Sequence, residues 1–176
     1  ITRKVLTSLP RTKVVARYGV GVDNVDLAAA TEEGITVVHV PDYCIEEVSN
    51  HVIAFLLMWA KQIVPLDRSI RSGDWAAGKR SPMRDVQSIH QQTLGLLGAG
   101  RIGMATARKA KALSMEVLVY DPYIDSGRLK EEGLTPATMP EVLAQGDYVS
   151  LHVPLTPETH HMISTEQLRL MKASAF

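Results

Sequence analysis

The segment Thr93-Leu94-Gly95-Leu96-Leu97-Gly98-Ala99-Gly100-Arg101-Ile102-Gly103 constrains this chain more than any other. Its apolar run ending at Gly98 has the length and composition of a strand buried on both faces. Beyond it Ile102, Ala105, Ala110 and Leu113 recur at helical spacing, with Arg108, Lys109 and Lys111 on other faces. The segment therefore predicts strand, tight turn and helix. Three glycines in GxGxxG spacing each have a steric task at such a turn. Gly98 permits the sharp bend, Gly100 lets the backbone approach a pyrophosphate, and Gly103 lets the helix sit close to the strand. The first N–H groups of the helix then face that anion at the positive end of the helix dipole.

A second strand, Glu116-Val117-Leu118-Val119-Tyr120, runs into Asp121, 18 residues past Gly103. An acid there can accept hydrogen bonds from both ribose hydroxyls of an adenosine. It also repels a 2′-phosphate, and the adjacent Pro122 and Tyr123 supply no cation to offset this. The pattern favours NAD over NADP as cofactor. Glycine-rich turns are common, and a purely structural turn in another α/β protein is the alternative. Strand, glycines, helix, strand and acid in register argue against it.

Charge and composition exclude several other classes. The 19 basic and 19 acidic residues are spread along the chain and cancel, so there is no electrostatic case for nucleic acid or a membrane surface. The longest apolar run, Val52 to Ala60, falls well short of the roughly 20 residues needed to span a bilayer. The N-terminus lacks the layout of a signal peptide. A single cysteine, Cys44, leaves no internal disulfide and fits a reducing compartment, so a cytoplasmic protein is expected.

Residues 1–46 read as the end of an α/β unit. Lys13 to Arg17 is a strand, Val25 to Glu33 a helix closed by Gly34, and Thr36 to Val40 a strand stopped by Pro41. Two strands and one helix cannot cover their own faces, so this segment is expected to be the remnant of a larger lobe. Between its first strand and helix, Tyr18-Gly19-Val20-Gly21-Val22-Asp23-Asn24 forms a second glycine-rich loop. Its N–H groups can face a small anion, with Arg17 pairing a carboxylate; a plain turn beside a surface arginine is the other reading. Glu46 to Ile63 is the longest helix. Its apolar stretch leaves so little polar surface that burial between lobes or at a subunit contact is expected. Pro65 opens a further helix ended by Gly73, and residues 74–92, with Trp75, read as an exposed arm. Asp125 to Thr138 reads as a polar segment, Pro140 to Ala144 as a short helix and Asp147 to Val153 as a strand. Thr156 to Thr159 forms a turn, Thr165 opens another helix, and the last residues lead toward one more strand.

Taken together these residues resemble the D-isomer-specific 2-hydroxyacid dehydrogenases over almost the whole chain. The similarity lies in Arg17 to Asp26, Gly34 to Val37 with Val40-Pro41, Leu94 to Gly103, Tyr120-Asp121-Pro122 and Leu151 to Thr156. The stretches Arg17 to Asn24 and Tyr120 to Tyr123 are most similar to the branch containing the C-terminal-binding-protein corepressors and their bacterial dehydrogenase relatives. The resemblance implies an α/β fold. Residues 47–176 would form a Rossmann-type, doubly wound parallel sheet that binds NAD and is cut short at its C-terminal end. Residues 1–46 would be the tail of a flavodoxin-like substrate lobe. It also implies the contacts. Gly98, Gly100 and Gly103 would shape the turn, Arg101 and Ile102 cover the pyrophosphate, and Asp121 hold the adenosine ribose. His152, Val153, Pro154 and Thr156 would follow on the adenine side, and Val20 would touch the nicotinamide end. Arg17 and the backbone of Val20 and Gly21 would receive the carboxylate of a small 2-hydroxy or 2-oxo acid. A homodimer would form through the helix and arm of residues 47–92.

The activity implied is NAD-dependent hydride transfer between a D-2-hydroxy acid and its 2-oxo acid. The family's catalytic Arg, and its His paired with a Glu, fall downstream of Phe176 in the family pattern, so no catalytic residue is assigned within this chain. His152 sits in a family motif but is not that His, and reads as structural. His160 and His161 are adjacent, with no cysteine or carboxylate at ligand spacing, so no metal site is expected. Two other functions fit parts of the pattern. One is a non-enzymatic, NAD(H)-sensing dimeric binding protein of the corepressor type. The other is an adenosyl-ligand enzyme on the same fold, against which Leu151 to Thr156 and the Arg17 loop argue.

Overall fold

The structure, a computed structural model, describes residues 1–74 and 86–176. Its first part is a two-stranded parallel sheet, β1 (Val14–Arg17) and β2 (Thr36–His39), with Val14 opposite Thr36. Helix α2 (Leu27–Glu32) makes the crossover. The Asp26 carboxylate starts it by accepting from the Ala29 N–H at 2.8 Å, and Gly34 leaves it at φ +66°. A further helix absent from the sequence reading, α1 (Arg3–Thr7), buries Leu6 against Ala29, Ala30 and Ile35. Leu6 is the one buried residue of α1, so no periodicity announces that helix.

The second sheet has four parallel strands in the order β5-β4-β3-β6: β3 (Thr93–Leu97), β4 (Glu116–Tyr120), β5 (Thr135–Pro136) and β6 (Tyr148–Leu151). Alternation along the strands separates its two faces. Leu94, Leu96, Val117 and Val119 pack with Leu56 and Ala60 of α3 (Ile45–Ala60) and with Ala107 and Ala110 of α5 (Arg101–Ala112). On the opposite face Leu97, Leu118 and Val149 meet Val142 and Leu143 of α7 (Met139–Gln145). Helices on both faces make the sheet doubly wound, the expected Rossmann-type class. From β3 the chain steps outward through β4 to β5, then returns to the other side of β3 as β6. Strand order reverses between β3 and β6, and the crevice beyond their carboxyl ends is where ligands bind in such sheets.

Three segments differ from the sequence reading. Asp125 to Thr138, read as a polar segment, contains α6 (Ser126–Glu131) and β5. The Asp125 side chain caps α6 through the N–H groups of Gly127 and Arg128, at 2.8 and 3.2 Å. Of this segment Leu129 and Leu134 are buried, too few apolar residues to show a period. Helix α3 is covered on one side only: Ser49, Leu56 and Ala60 are buried, while Phe55 and Trp59 are 47% and 48% exposed. Helix α4 (Ile63–Arg71) begins two residues before Pro65, after Gln62 in a left-handed conformation. Most of the expected arm, including Trp75, lies outside the described residues. At the other end Ser164 and Gln167 cap α8 (Thr165–Leu170). The Phe176 N–H donates to the Asp147 carbonyl at 3.0 Å and its carbonyl accepts from Val149 at 2.8 Å, setting it beside β6.

Candidate functional site

The glycine turn joins β3 to α5 at the point where strand order reverses. Gly98 has φ +98°, and a Cβ there would lie 2.9 Å from the His152 carbonyl. A Cβ on Gly103 would lie 2.3 Å from the Gly98 oxygen, so α5 rests directly on the turn. Gly100 differs from both, because no atom lies within 4 Å of a Cβ built there. The first intrahelical bond of α5 runs from the Met104 N–H to the Gly100 carbonyl at 2.9 Å. The N–H groups of Arg101, Ile102 and Gly103 precede it at the positive end of the dipole. Clear space over Gly100 beside such donors fits a dinucleotide diphosphate.

Asp121, at the end of β4, is held from two sides. Its Oδ2 accepts from the Ala99 N–H at 2.8 Å and its Oδ1 from the Tyr123 N–H at 2.9 Å. Each oxygen keeps a second lone pair, which suits two ribose hydroxyls. Among the described residues no ion pair involves Asp121. The carboxylate borders a cleft of about 650 Å³ with Gly98, Gly100 and Tyr123 on one side and His152, Val153, Pro154 and Thr156 on the other. That second wall is braced by backbone bonds and a side-chain turn. The His152 N–H donates to the Leu97 carbonyl at 2.7 Å. Thr159 Oγ1 donates to the Pro154 carbonyl at 2.6 Å and accepts from the Thr156 N–H at 2.8 Å. The His152 ring lies with Nε2 3.0 Å from Ser150 Oγ, and burial pushes its pKa below the ordinary imidazole value of 6.5.

A second cleft, of about 900 Å³, opens between the two sheets. Val20 and Gly21 line it from the first sheet's loop; Ile102 and the segment Leu151 to Leu155 line it from the second. His152, Val153 and Pro154 border both clefts, so the two adjoin past the end of β6. The Val20 loop is fixed by His39 Nδ1 on the Val20 carbonyl at 2.8 Å and by the Val40 N–H on the Gly19 carbonyl at 3.1 Å.

Arg17 is not brought to either cleft wall. Its guanidinium folds back over Gly19, donating to the Tyr18 carbonyl at 3.1 Å and lying 3.4 Å from Asn24 Oδ1. Arg101 lines a third depression behind Gly100, with Nη1 3.5 Å from the Pro41 carbonyl. Met139 and Met162 also line the cleft beside Asp121, and the sequence reading missed both. They lie 18 and 41 residues beyond Asp121 and share no spacing signal with it. Thr159 was within reach, because Thr156 and Thr159 stand at the separation of a capping pair.

The glycine turn, the open helix N-terminus and the anchored Asp121 define a dinucleotide-binding domain. Residues 53–176 match the family model described as D-isomer specific 2-hydroxyacid dehydrogenase, NAD binding domain. The chain belongs to the D-isomer-specific 2-hydroxyacid dehydrogenase family, and NAD is the cofactor of this domain. It is 40% identical over 175 residues to a glyoxylate reductase of Korarchaeum cryptofilum, covering 99% of this chain and 53% of that protein. To a D-3-phosphoglycerate dehydrogenase of Methanocaldococcus jannaschii it is 38% identical over 176 residues, 99% of this chain and 33% of the relative. Among solved structures, a D-lactate dehydrogenase from Aquifex aeolicus complexed with NAD and lactic acid superimposes with a TM-score of 0.86. Its sequence identity is 35%, over 98% of this chain and 50% of that one. The chain thus spans about a third to a half of the length of these relatives. Among the described residues no helix is long and apolar enough to cross a membrane.

Proposed function

We propose that the protein is an NAD-dependent oxidoreductase interconverting a small D-2-hydroxy acid and its 2-oxo acid. Residues 1–46 would be the tail of the substrate lobe and 47–176 the NAD-binding domain. The observation that supports this best is that the two clefts adjoin along His152, Val153 and Pro154, which line both. A dinucleotide with its adenosine ribose on Asp121 and its diphosphate over Gly100 leads past Ile102 into the space faced by Val20 and Gly21. In this reading Gly98 and Gly103 shape the turn, and Arg101 and Ile102 cover the diphosphate. His152, Val153, Pro154 and Thr156 form the adenine-side wall. The N–H groups of the Val20-Gly21 loop receive the substrate carboxylate, and Arg17 stiffens that loop through Tyr18 and Asn24 and adds positive charge beside it. The nicotinamide, when bound, supplies or takes the hydride. The chain's own part is to hold ring and substrate together in one orientation. Similarity to proteins named glyoxylate reductase and D-3-phosphoglycerate dehydrogenase, and to a structure holding NAD and lactic acid, supports the substrate class.

Assembly as a homodimer through α3, α4 and the arm up to residue 92 accompanies this reading. Phe55, Trp59, Ile63, Val64 and Ile70 of these helices are large apolar side chains left 40–61% exposed, which supports a contact there. The lone Cys44 supports a reducing, cytoplasmic setting. The test uses protein expressed from the whole reading frame that encodes these residues. NADH is titrated first, and its oxidation is then followed over glyoxylate, hydroxypyruvate and other small 2-oxo acids. Binding with turnover is expected. Binding without turnover on any of them would favour a cofactor-sensing binding protein, and absence of NADH binding would remove the proposal.

A further inference from the structure

One wall of the cleft beside Asp121 carries sulfur. Of the chain's seven methionines, Met139 and Met162 line this space of about 650 Å³. Both are half-buried, each packing on the apolar cluster of Leu97, Val142 and Leu143 while reaching the cleft. Local backbone structure holds them in place. The Met162 N–H donates to the Thr159 carbonyl at 3.1 Å, and Met139 opens α7 inside the capping box of Thr138 and Glu141. Two other methionines mark the contrast. Met171 packs on the same cluster without lining the cleft, and Met115 is 1% exposed in the core on the other face of the sheet. A thioether is apolar and polarizable, which suits the wall of a cleft that takes a flat ring. It is also open to two-electron oxidants that can reach it. An open cleft admits such an oxidant to Met139 and Met162, while close packing denies it to Met115.

We propose that Met139 and Met162 form a peroxide-modifiable site, whose oxidation weakens cofactor binding and whose access the bound cofactor closes. The oxidant is hydrogen peroxide or an organic hydroperoxide. A lone pair on sulfur attacks one peroxide oxygen and the O–O bond breaks. Sulfur is oxidised by two electrons to the sulfoxide, and the other oxygen leaves, reduced and protonated, as water or an alcohol. The product has a polar S–O group where the wall was apolar. Leu97, Val142 and Leu143 have no side-chain donor for it, so an oxygen directed at them would be buried unpaired, which is unfavourable. The oxygen therefore turns outward into the cleft. There it holds water and takes up volume in the space the adenosine half of the dinucleotide fills when its ribose is on Asp121.

This inference rests on the NAD reading above, and its test separates the two. Protein from the whole reading frame, carrying Cys44→Ser to remove the thiol of these residues, is treated with hydrogen peroxide with and without saturating NAD⁺. Sulfoxides are mapped by peptide mass spectrometry, and NADH is titrated by fluorescence once the peroxide is removed. Met139 and Met162 should each gain an oxygen well before Met115, and NAD⁺ should slow both without slowing Met171. NADH affinity should fall roughly fivefold to a hundredfold, the range spanned by burying one unpaired polar group, and a methionine sulfoxide reductase should restore it. Met139→Leu with Met162→Leu, a swap that nearly conserves volume, is compared only with itself before and after peroxide, and should keep its own affinity through the treatment. The single variants give the same comparison if the pair disturbs the fold. An equal proportional loss in the leucine variants would overturn the site. Sulfoxide at both positions with affinity unchanged would do so too, as would oxidation rates indifferent to NAD⁺. Circular dichroism is recorded on the same samples, and affinity lost only together with helical signal would show unfolding instead of a site. Failure of the untreated protein to bind NADH would overturn the NAD reading, and this inference with it.

Discussion

Two alanines placed three residues apart in the glycine turn should have opposite consequences. At Gly100 a methyl group meets nothing within 4 Å, and the backbone, φ −63° and ψ −168°, is open to any residue. Gly100→Ala should fold as well as the wild type, or gain about 0.4–1 kcal/mol from the stiffer unfolded chain. The same methyl stands in the space through which a diphosphate must approach the N–H groups of Arg101 and Ile102. Losing one charge-assisted hydrogen bond costs about 1.5–3 kcal/mol, so NADH affinity should fall roughly tenfold to a hundredfold or more. At Gly103 the added carbon would lie 2.3 Å from the Gly98 oxygen, a backbone atom that cannot rotate away. Helix α5 must lift from the turn by about 1 Å, an overpacking cost of about 1–3 kcal/mol that should lower Tm by roughly 3–10 °C. Differential scanning fluorimetry reads stability, and NADH titration reads binding on the same samples. A Gly100→Ala protein that is stable and binds NADH as tightly as the wild type would refute the placement of the diphosphate. Destabilisation by Gly100→Ala equal to that by Gly103→Ala would refute the steric distinction itself.

Other perturbations probe different parts of the molecule. Lys109 crosses from α5 to the first turn of α3, donating to Glu46 and to the buried Ser49 hydroxyl. Because Glu46 is largely exposed its ion pair adds little, and Lys109→Met should cost about 1 kcal/mol, seen as a Tm lowered by about 2–4 °C; an unchanged Tm would remove the clamp. His152 is held neutral by burial, so the folded state binds fewer protons than the unfolded one as pH drops through the ordinary imidazole value of 6.5. Its contribution to stability is present above that pH and is lost below it. His152→Gln should flatten the fall in Tm between pH 7.5 and pH 5, and parallel curves for variant and wild type would contradict this. For assembly, Phe55→Asp with Ile70→Asp should convert a dimer to monomer in analytical ultracentrifugation, and an unaltered sedimentation coefficient would count against α3 and α4 as the contact.

The cofactor half of the candidate site was readable from the chain because its parts are local. A run of buried aliphatics, three glycines at fixed spacing and an acid ending the next strand are each imposed by backbone sterics within one βαβ unit. Order along the chain therefore equals order in space. The same locality explains the misses. Helix α1 and helix α6 each bury one residue, Leu6 and Leu129, and a single apolar position has no period. The stretch Val52 to Ala60 of α3 is apolar on nearly every face, but which side is covered depended on α5 packing against Leu56 and Ala60 while leaving Phe55 and Trp59 exposed. Arg17 sat at the right place in its motif, yet the fold turned its guanidinium back over Gly19. By itself the sequence determined a parallel α/β sheet with a dinucleotide turn and an acid poised for a ribose, because those follow from short-range geometry. Only the tertiary structure decided that His152 to Pro154 border two clefts and that Glu132 pairs with Arg108. Those relations arise between elements distant along the chain, where packing and competition among charges choose the partners and spacing does not.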